Sequence, residues 1–503
     1  MKNKGFTLVE LLAILGLLAV ITLITIPAVD GIIKKNKKKM YEEQIETIRN
    51  GLKTWGDANV EMLPEESGDI LTLNLGYLKA QGFVKPDMVN VLNEMCFPND
   101  MSVSIKKVNE NYEYIVDSGS GSEPTVRDCS PGVLLYRDNT LKGADPVLDD
   151  GLIPVIYDGT SVKVAALDSE WYSYSDKLWA NAVAVKKSTR NTYLNAIAGT
   201  VINESDILAY FVWIPRYKYK ISTGGTTTPS SIDIVFETKD TNVSKGDAIN
   251  EYRTHPAFKF GNKKLNGIWV GKFETTGTSE TPTIKPNLAA LINQSVYTQF
   301  SQALNFKSDK YGITTDSHMM KLSEHGAVKY LSHSKYGINT NIRLNNNSNR
   351  LTGCGASTDF AAESTSCEIA FGNSSLNYPQ SSTGNIYGIF DLSGGVDDRL
   401  MAIYKERYTT ESEFTSLPAS KYYDTITSST YSEGCDGTTC YGFGLTETYG
   451  WYSQDIECQV DSSDPFVTKG NSFDDSTTSS IFHTSCSSGR SNNDAYRVVI
   501  VEG

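Results

Sequence analysis

Residues 6–29 read FTLVELLAILGLLAVITLITIPAV, an apolar run in which Glu10 is the one charged side chain. A helix rises about 1.5 Å per residue, so this run would span about 36 Å, more than the roughly 30 Å hydrocarbon core of a bilayer. A secretory signal peptide is the alternative, but its apolar region is usually about 7 to 15 residues long and ends in a small-residue cleavage site. This run is longer and no Ala-x-Ala site closes it, so the sequence predicts a membrane-spanning helix.

Glu10 needs a partner in such a helix, because an ionised side chain near the middle of a bilayer costs about 2.5 kcal/mol or more. The string Lys4-Gly5-Phe6-Thr7-Leu8-Val9-Glu10 resembles the type IV pilin leader, which a prepilin peptidase cuts between Gly and Phe. The resemblance implies cleavage after Gly5 and methylation of the new amino group of Phe6. It also implies assembly through a contact between Glu10 and the Phe6 amine of a neighbouring pilin subunit. The alternative is that Glu10 snorkels to the membrane interface.

The resemblance to pilins extends beyond the leader. Pro27 stands 22nd counting from Phe6, where many pilins also carry a proline. Farther on, five apolar side chains repeat at spacings of 4, 3, 4 and 3 and predict one stripe on a continuing helix: Tyr41, Ile45, Ile48, Leu52 and Trp55. The segment 59–117 would form a small head that covers this stripe. Alternating apolar residues predict strands in the head near 71–75, 103–105 and 112–116.

The charge is distributed unevenly along the chain. The net charge is -13, but residues 1–40 hold seven Lys against Glu10 and Asp30, which gives +5 and leaves -18 for residues 41–503. Phosphate recognition needs clustered positive charge, so this acidic body argues against a nucleic-acid partner. The lysines at 34–39 follow the apolar run, and the positive-inside rule alone would place the body in the cytoplasm. The leader resemblance implies the opposite: a single-pass cell-membrane protein with a cytoplasmic N-terminus before assembly and an extracellular body at the cell surface.

The eight cysteines favour disulfides. Their number is even, no CxxC occurs, and the chain has five His, so a zinc site is poorly supported. Short loops close at the lowest entropic cost, which favours the local pairs Cys96–Cys129, Cys354–Cys367, Cys435–Cys440 and Cys458–Cys486. The alternative is eight free thiols in a reducing compartment.

Composition changes divide the chain into segments. A Gly/Ser-rich stretch at 118–126 is typical of a flexible connection. The sequence predicts an α+β protein with a leader at 1–5, a pilin-like helix and small β-sheet head at 6–117, a linker at 118–142, a small β-rich bridging module at 143–205 and a display domain at 206–503.

Several segments of the display domain resemble, in order, the formylglycine-generating-enzyme and sulfatase-modifying-factor fold, a version of the C-type lectin fold. They are residues 211–216, 267–276, 317–333, 384–395, 469–473 and 495–500, of which 317–333 is similar to the central helix and 495–500 to the closing strand. The resemblance implies a loop-rich, C-type-lectin-like domain.

The catalytic residues of that family are not matched. Its enzymes carry a reactive cysteine pair after the element that Phe473 ends here, but Asp474 and Asp475 follow Phe473, and Cys486 is the one later cysteine. We therefore expect no enzymatic activity. The spacing of His318, His325 and His333 would place them on one helix face, yet no nucleophile motif accompanies them, so we interpret them as core or surface histidines.

The sequence gives little support for the metal site of that family. The family's metal-binding element is replaced by Gly395-Val396-Asp397-Asp398. Asp397 and Asp398 would offer oxygen ligands to calcium, which takes carboxylate clusters, and the alternative is that they are solvated loop acids. No other cofactor is expected.

Ligands of this fold commonly meet the loop-rich C-terminal region. There the chain combines aromatic side chains with Ser, Asn and Asp, as in adaptable binding surfaces. The predicted ligand-binding residues are Trp451, Tyr452, Asp455, Phe466, Asp474, Asp475, Phe482, His483, Arg490, Asn492 and Asn493. The alternative is that Trp451 and Phe466 belong to the core. Related domains are also varied by diversity-generating retroelements in this terminal stretch.

These features together predict a minor or tip pilin-like subunit of a type IV pilus or pseudopilus that displays a noncatalytic, lectin-like adhesion domain. Its partners would be the prepilin peptidase, other pilin subunits with their assembly machinery, the membrane, and an extracellular glycan or protein. The alternatives are a membrane-tethered enzyme of the sulfatase-modifying-factor class and a pseudopilin of a secretion or DNA-uptake system.

Overall fold

The chain folds as an α+β protein with two compact units, residues 1–135 and 136–503. The computed structural model describes residues 8–60, 63–80, 82–85, 88–93, 95–99, 101–120, 138–167, 169–221, 229–240, 251–358, 361–373, 378–427, 441–453, 459–474, 480–490 and 493–502. Most of the linker expected at 118–142 lies outside these ranges, and the division between the units falls after Leu135.

The first unit is a long helix with a small sheet. Its elements are α1 (Leu8–Ala58), β1 (Ile70–Asn74), α2 (Leu75–Ala80), β2 (Val89–Asn90), β3 (Met95–Cys96), β4 (Ser102–Val108) and β5 (Asn111–Val116). Strands β1, β4 and β5 form an antiparallel sheet in that order, with Leu73 opposite Val103 and Ile105 opposite Tyr114. The three strands lie where the alternating apolar residues predict them.

The C-terminal part of α1 packs on this sheet through the predicted stripe. Ile48, Leu52 and Trp55 are fully buried in the core of the unit, and Trp55 meets the Tyr77 ring edge-on at 6.0 Å between centroids. At Gly51 a Cβ atom would lie 2.5 Å from the carbonyl oxygen of Phe83, so the close approach of α1 requires glycine. The stripe and the head that covers it are confirmed.

The N-terminal predictions fall largely outside the described structure. Gly5, Phe6 and the side chain of Glu10 lie outside it. Within the described residues, no helix is both long and apolar enough to cross a membrane. The membrane-spanning segment over residues 6–29 therefore stays a prediction from the sequence.

The second unit contains most of the strands. Its elements are β6 (Leu152–Tyr157), β7 (Val162–Val164), β8 (Asn181–Val185), α3 (Lys187–Leu194), β9 (Ile207–Pro215), β10 (Tyr217–Lys220), β11 (Asp233–Phe236), β12 (Arg253–Thr254), β13 (Lys259–Phe260), β14 (Lys263–Lys264), β15 (Gly267–Gly271), β16 (Thr276–Gly277), β17 (Pro282–Thr283), α4 (Val296–Leu304), β18 (Ser317–Met319), α5 (Leu322–Ser332), β19 (Asp397–Tyr404), β20 (Asp424–Ile426), β21 (Phe466–Lys469), β22 (Thr484–Ser487), β23 (Asp494–Ala495) and β24 (Val498–Val501).

One antiparallel sheet forms the centre of this unit, in the order β18-β24-β15-β9-β8-β6-β7. Strands β9 and β15 read as nearly continuous apolar runs because both of their faces are buried, and Trp213 lies opposite Trp269 with 5.3 Å between ring centroids. Strand β8 pairs directly with β9. The predicted boundary between a bridging module and the display domain at 205 is therefore wrong, because strands from both segments share one sheet.

A second sheet has the order β20-β19-β21-β22, with β23 paired to β19. The resembling segments 211–216 and 267–276 overlap β9 and β15, and the closing strand expected at 495–500 is found at Val498–Val501. The predicted helix at 317–333 is shorter, because Ser317–Met319 pairs with β24 and α5 begins only at Leu322. Glu324 accepts the backbone N–H of Lys321 at 2.9 Å, which fixes this helix start.

One predicted disulfide is confirmed, between Cys354 and Cys367. Cys96 and Cys486 are also disulfide-bonded, with partners outside the described residues. The partners assigned to them in the sequence analysis stay predictions.

Candidate ligand-binding site

A surface cavity of about 560 Å³ lies beside the β6–β7 edge of the central sheet. This volume is within the usual range for small-ligand pockets, about 300–1,000 Å³. The aromatic residues in its lining are Tyr157 at the end of β6, Tyr210 in β9, and Phe371 from a loop. The polar part of the lining includes Thr160, Ser161, Asn203, Glu204, Lys285 and Asn287.

The three rings form a connected aromatic wall. Phe371 meets Tyr157 edge-on at 5.8 Å and Tyr210 at 6.4 Å between ring centroids, and it also contacts Phe273 at 5.0 Å. Burial raises the pKa of Tyr157 well above its ordinary value, so its hydroxyl stays protonated and donates to Asn181 Oδ1 at 3.2 Å. The rings are therefore held in place by contacts with one another and by the strands and the loop that carry them.

The charges at the cavity are paired with each other. The Tyr210 hydroxyl donates to the Glu204 carboxylate, and Lys285 Nζ lies 3.1 Å from Glu204 Oε1 and donates to the Glu204 backbone oxygen at 2.7 Å. Burial, followed by the charge of Glu204, raises the pKa of Tyr210 above its ordinary value. Exposed carboxamides of Asn203 and Asn287 complete this side of the lining. Such a lining suits an uncharged polar ligand with apolar faces.

A buried lysine stabilises the inner wall of the cavity through hydrogen bonds. Lys272 Nζ donates to Asn181 Oδ1 at 2.7 Å and to the backbone oxygens of Ile386 at 2.6 Å and Gly388 at 3.0 Å. It also lies 5.0 Å from the centre of the Tyr157 ring. Desolvation by burial lowers its pKa well below the ordinary value. The side chain thus joins the central sheet to the loop that carries Ile386.

Four of the predicted ligand-binding residues are buried, so this part of the prediction is wrong. Trp451, Phe466, Phe482 and His483 are at most 2% exposed. Trp451 packs on Phe482 with 5.3 Å between ring centroids, and Phe466 lies in β21 within the core. Aromatic side chains next to polar loop residues are as typical of the edge of a core as of a binding surface, and here the core interpretation holds.

For the other predicted residues the ligand-binding role stays a prediction. Tyr452 is half-buried against His333, at 5.6 Å between ring centroids. Asp474 and Arg490 are exposed, and Arg490 Nη1 lies 3.5 Å from a Glu413 oxygen. Asn493 accepts a hydrogen bond from Arg350 at 3.0 Å. Asp455, Asp475 and Asn492 lie outside the described residues.

Asp397 and Asp398 do not form a joint calcium site. They are consecutive residues of β19, so their side chains point to opposite faces of the strand. Asp398 Oδ2 is held by Arg497 Nε at 2.6 Å in the buried core. In the described ranges, no group of three His, Cys, Asp or Glu side chains is placed to hold a metal ion.

Arg497 lies among three buried carboxyl groups. Besides Asp398, its Nη2 donates to the backbone oxygen of Asp391 at 2.5 Å. Burial raises the pKa of Asp391 to about 6, and burial followed by Asp391 and Asp398 raises that of Glu274 well above its usual range. The raised pKa of Glu274 favours its protonated form, so Asp391 and Asp398 are the carboxyl groups that oppose the charge of Arg497 at neutral pH.

The three histidines singled out in the sequence are core residues. His318, His325 and His333 are all at most 3% exposed, and His318 Nε2 lies 2.9 Å from Glu324 Oε1. No catalytic nucleophile is placed against this His–Glu pair within the described residues.

The residues of the cavity were not predicted from the sequence. Tyr157, Tyr210 and Phe371 come from segments far apart in the chain, and no spacing rule joins them. The one local signal was a Tyr among the apolar residues of β6 and of β9, which is equally typical of a core strand.

Comparison with known proteins adds no family assignment. No family model matches the chain, and a search of curated proteins gives no significant match.

Proposed function

We propose that the chain is a pilin-like subunit of a type IV pilus or pseudopilus that displays a noncatalytic, lectin-like binding domain at the cell surface. The observation that carries the assembly role is the continuity of the Lys4–Glu10 string with a 51-residue helix whose last turns are buried by a three-stranded head. A helix that is apolar at its start and covered by a small sheet at its end is the plan implied by the pilin resemblance. The membrane location rests on the apolar run at 6–29 alone.

The second unit is the proposed binding domain, and a saccharide is the proposed ligand. A sugar ring has apolar C–H faces and a rim of hydroxyl groups, so it matches an aromatic wall bordered by amide and hydroxyl side chains. Phe371 and Tyr157, both half-buried, supply the wall, and the buried Tyr210 packs behind Phe371. Asn203 and Asn287 supply neutral hydrogen-bonding groups. The volume of about 560 Å³ admits a small saccharide unit but not a folded protein surface.

A glycan array probed with the full-length protein in detergent tests this assignment. For a saccharide that binds, Phe371→Ala should weaken the affinity about 30-fold, which corresponds to the loss of about 2 kcal/mol at a central aromatic contact. The matched control is Tyr449→Ala, because Tyr449 is 43% exposed and does not line the cavity. Equal affinity of the Phe371 variant and the control would contradict a ligand at this cavity. Binding to proteins but not to saccharides would contradict the proposed ligand class.

The noncatalytic assignment rests on Asp474, which follows Phe473 where the related enzymes carry a cysteine pair. Copper binding together with peptide oxidation by the purified protein would contradict it.

A minor or tip position follows from size, because a subunit with a second unit of this length would crowd a filament packed by N-terminal helices. Stoichiometric abundance in purified pili would contradict that position.

Protease shaving of intact cells tests the orientation. We expect the second unit to be digested from outside while a cytoplasmic marker stays intact. Protection of the second unit on intact cells, with digestion after lysis, would contradict surface display.

A further inference from the structure

Four basic side chains meet in the interior of the second unit. We call them the basic cluster: Lys329 and His325 from α5, Lys469 at the end of β21, and His483 just before β22. Lys329 and His325 are four residues apart and therefore share one face of the helix. All four are at most 2% exposed.

The two lysines are close neighbours with few acceptors. Each ammonium group carries three N–H donors. Lys329 Nζ donates to the Gly444 backbone oxygen at 3.1 Å, and Lys469 Nζ donates to Thr484 Oγ1. The two lysine side chains are also hydrogen-bonded to each other. Lys329 also lies 5.1 Å from the centre of the Phe482 ring. No carboxylate forms an ion pair with either lysine in the part of the chain that the structure describes.

The neighbouring charges do not compensate the two lysines. Arg497 adds a positive charge near His325, and its own partner Asp398 is already engaged at 2.6 Å. His325 has neither ring nitrogen hydrogen-bonded, although it is fully buried. A buried charge without an opposite charge costs several kcal/mol, so two buried lysines without a carboxylate are unfavourable unless an anion joins them or the lysines lose their protons.

Anion binding and proton loss by the lysines have opposite relations to the pKa values of the basic cluster. Burial lowers the pKa of Lys329 to about 7, and burial followed by Lys329 lowers that of Lys469 well below its ordinary value. Burial also lowers the pKa of His483 to about 4. An anion among these groups would raise every one of these pKa values, because it favours their charged forms.

We propose that the basic cluster is a binding site for a small oxyanion, such as phosphate or sulfate, whose oxygens accept the N–H groups of Lys329 and Lys469 and a ring N–H of His325. An oxyanion supplies both the counter-charge and the acceptors that these donors lack. The site is separate from the cavity at Tyr157, and the inference does not depend on the proposed pilin or saccharide-binding function.

The test uses the full-length protein in detergent, exchanged into a buffer free of phosphate and sulfate. Phosphate, sulfate and chloride are added separately at pH 6.5 and matched ionic strength, and thermal unfolding is followed by tryptophan fluorescence. We expect the midpoint temperature to rise with the logarithm of the phosphate or sulfate concentration, as for a ligand that binds only the folded state, and to rise less with chloride. At pH 8.5 the rise should be smaller, because Lys329 loses its proton.

Variants separate a specific site from general screening. Lys469→Met should abolish the response to oxyanions, and without any anion it should be at least as stable as the wild type because one uncompensated charge is gone. The control Lys264→Met removes an exposed lysine and should keep the wild-type response. The same oxyanion response in Lys469→Met and in the wild type would overturn the proposal.

A measurement on the wild type alone covers the case in which Lys469→Met does not fold. Protein purified in phosphate buffer and passed through a desalting column is denatured, and the released phosphate is counted by ion chromatography. About one phosphate per chain supports the site, and so does calorimetric titration that saturates at one anion. If no phosphate is released and no oxyanion shifts the midpoint temperature, the proposal is overturned. That result would show that the lysines are held neutral instead.

Discussion

Replacement of Lys272 by Met should destabilise the second unit and loosen the inner wall of the cavity. The change removes the donor to the Ile386 and Gly388 backbone oxygens, for which the structure shows no other donor among the described residues. Asn181 Oδ1 keeps the Tyr157 hydroxyl as a donor. The aromatic surroundings of Lys272 can accept the Met side chain, so the loss comes from the hydrogen bonds and not from packing.

The magnitude follows from these bonds. The buried Gly388 oxygen and the part-buried Ile386 oxygen, left without a donor, cost up to about 3 kcal/mol each, or up to about 6 kcal/mol together. Removing a buried ammonium returns part of this cost because the charge no longer has to be desolvated. We therefore expect a net loss of about 2–4 kcal/mol in the free energy of unfolding.

Urea unfolding followed by tryptophan fluorescence measures this loss. Five of the six Trp residues lie in the second unit, so the signal reports mainly on it. The control Lys264→Met changes an exposed lysine and should stay within about 0.5 kcal/mol of the wild type. If Lys272→Met were as stable as this control, the proposal that the hydrogen bonds of Lys272 stabilise the second unit would be refuted.

Three further outcomes are expected. Trp55→Ala should lower the stability of the first unit by about 3–5 kcal/mol, seen as faster hydrogen exchange of the head sheet, whereas exposed Lys53→Ala should not. Burial raises the pKa of Asp391 to about 6, above its unfolded value, so ionisation of Asp391 opposes folding. The free energy of unfolding should therefore fall as pH rises from about 4 to about 6. Asp391→Asn should flatten this part of the pH profile, and an unchanged slope would contradict the raised pKa. Replacing both Cys354 and Cys367 by Ser should cost about 3 kcal/mol in denaturant unfolding, and no loss would contradict a stabilising crosslink.

Local periodicity predicted the elements that depend on neighbouring residues. The stripe from Ile48 to Trp55 needs only the helical repeat. The segments that form β9 and β15 were expected from their resemblance to a known fold. These elements are found where the sequence placed them. The disulfide Cys354–Cys367 belongs to the same class, because its two ends are close in the chain.

Features that depend on tertiary contacts were not predictable in this way. The cavity brings together Tyr157, Tyr210 and Phe371 only after β6 and β9 join one sheet. The boundary placed at 205 was wrong for the same reason, since strand pairing across it leaves no mark on composition. Trp451 and Phe482 were assigned to a surface because composition does not distinguish a ring in a core from a ring in a binding loop.

The pilin-like assembly role can be examined at the N-terminus of the protein isolated from its native host. Intact mass and N-terminal peptide analysis should show that the chain begins at Phe6, with a methylated amino group, and that a Gly5→Leu variant keeps its leader. A mature chain that still begins at Met1, or one processed elsewhere, would contradict the assignment.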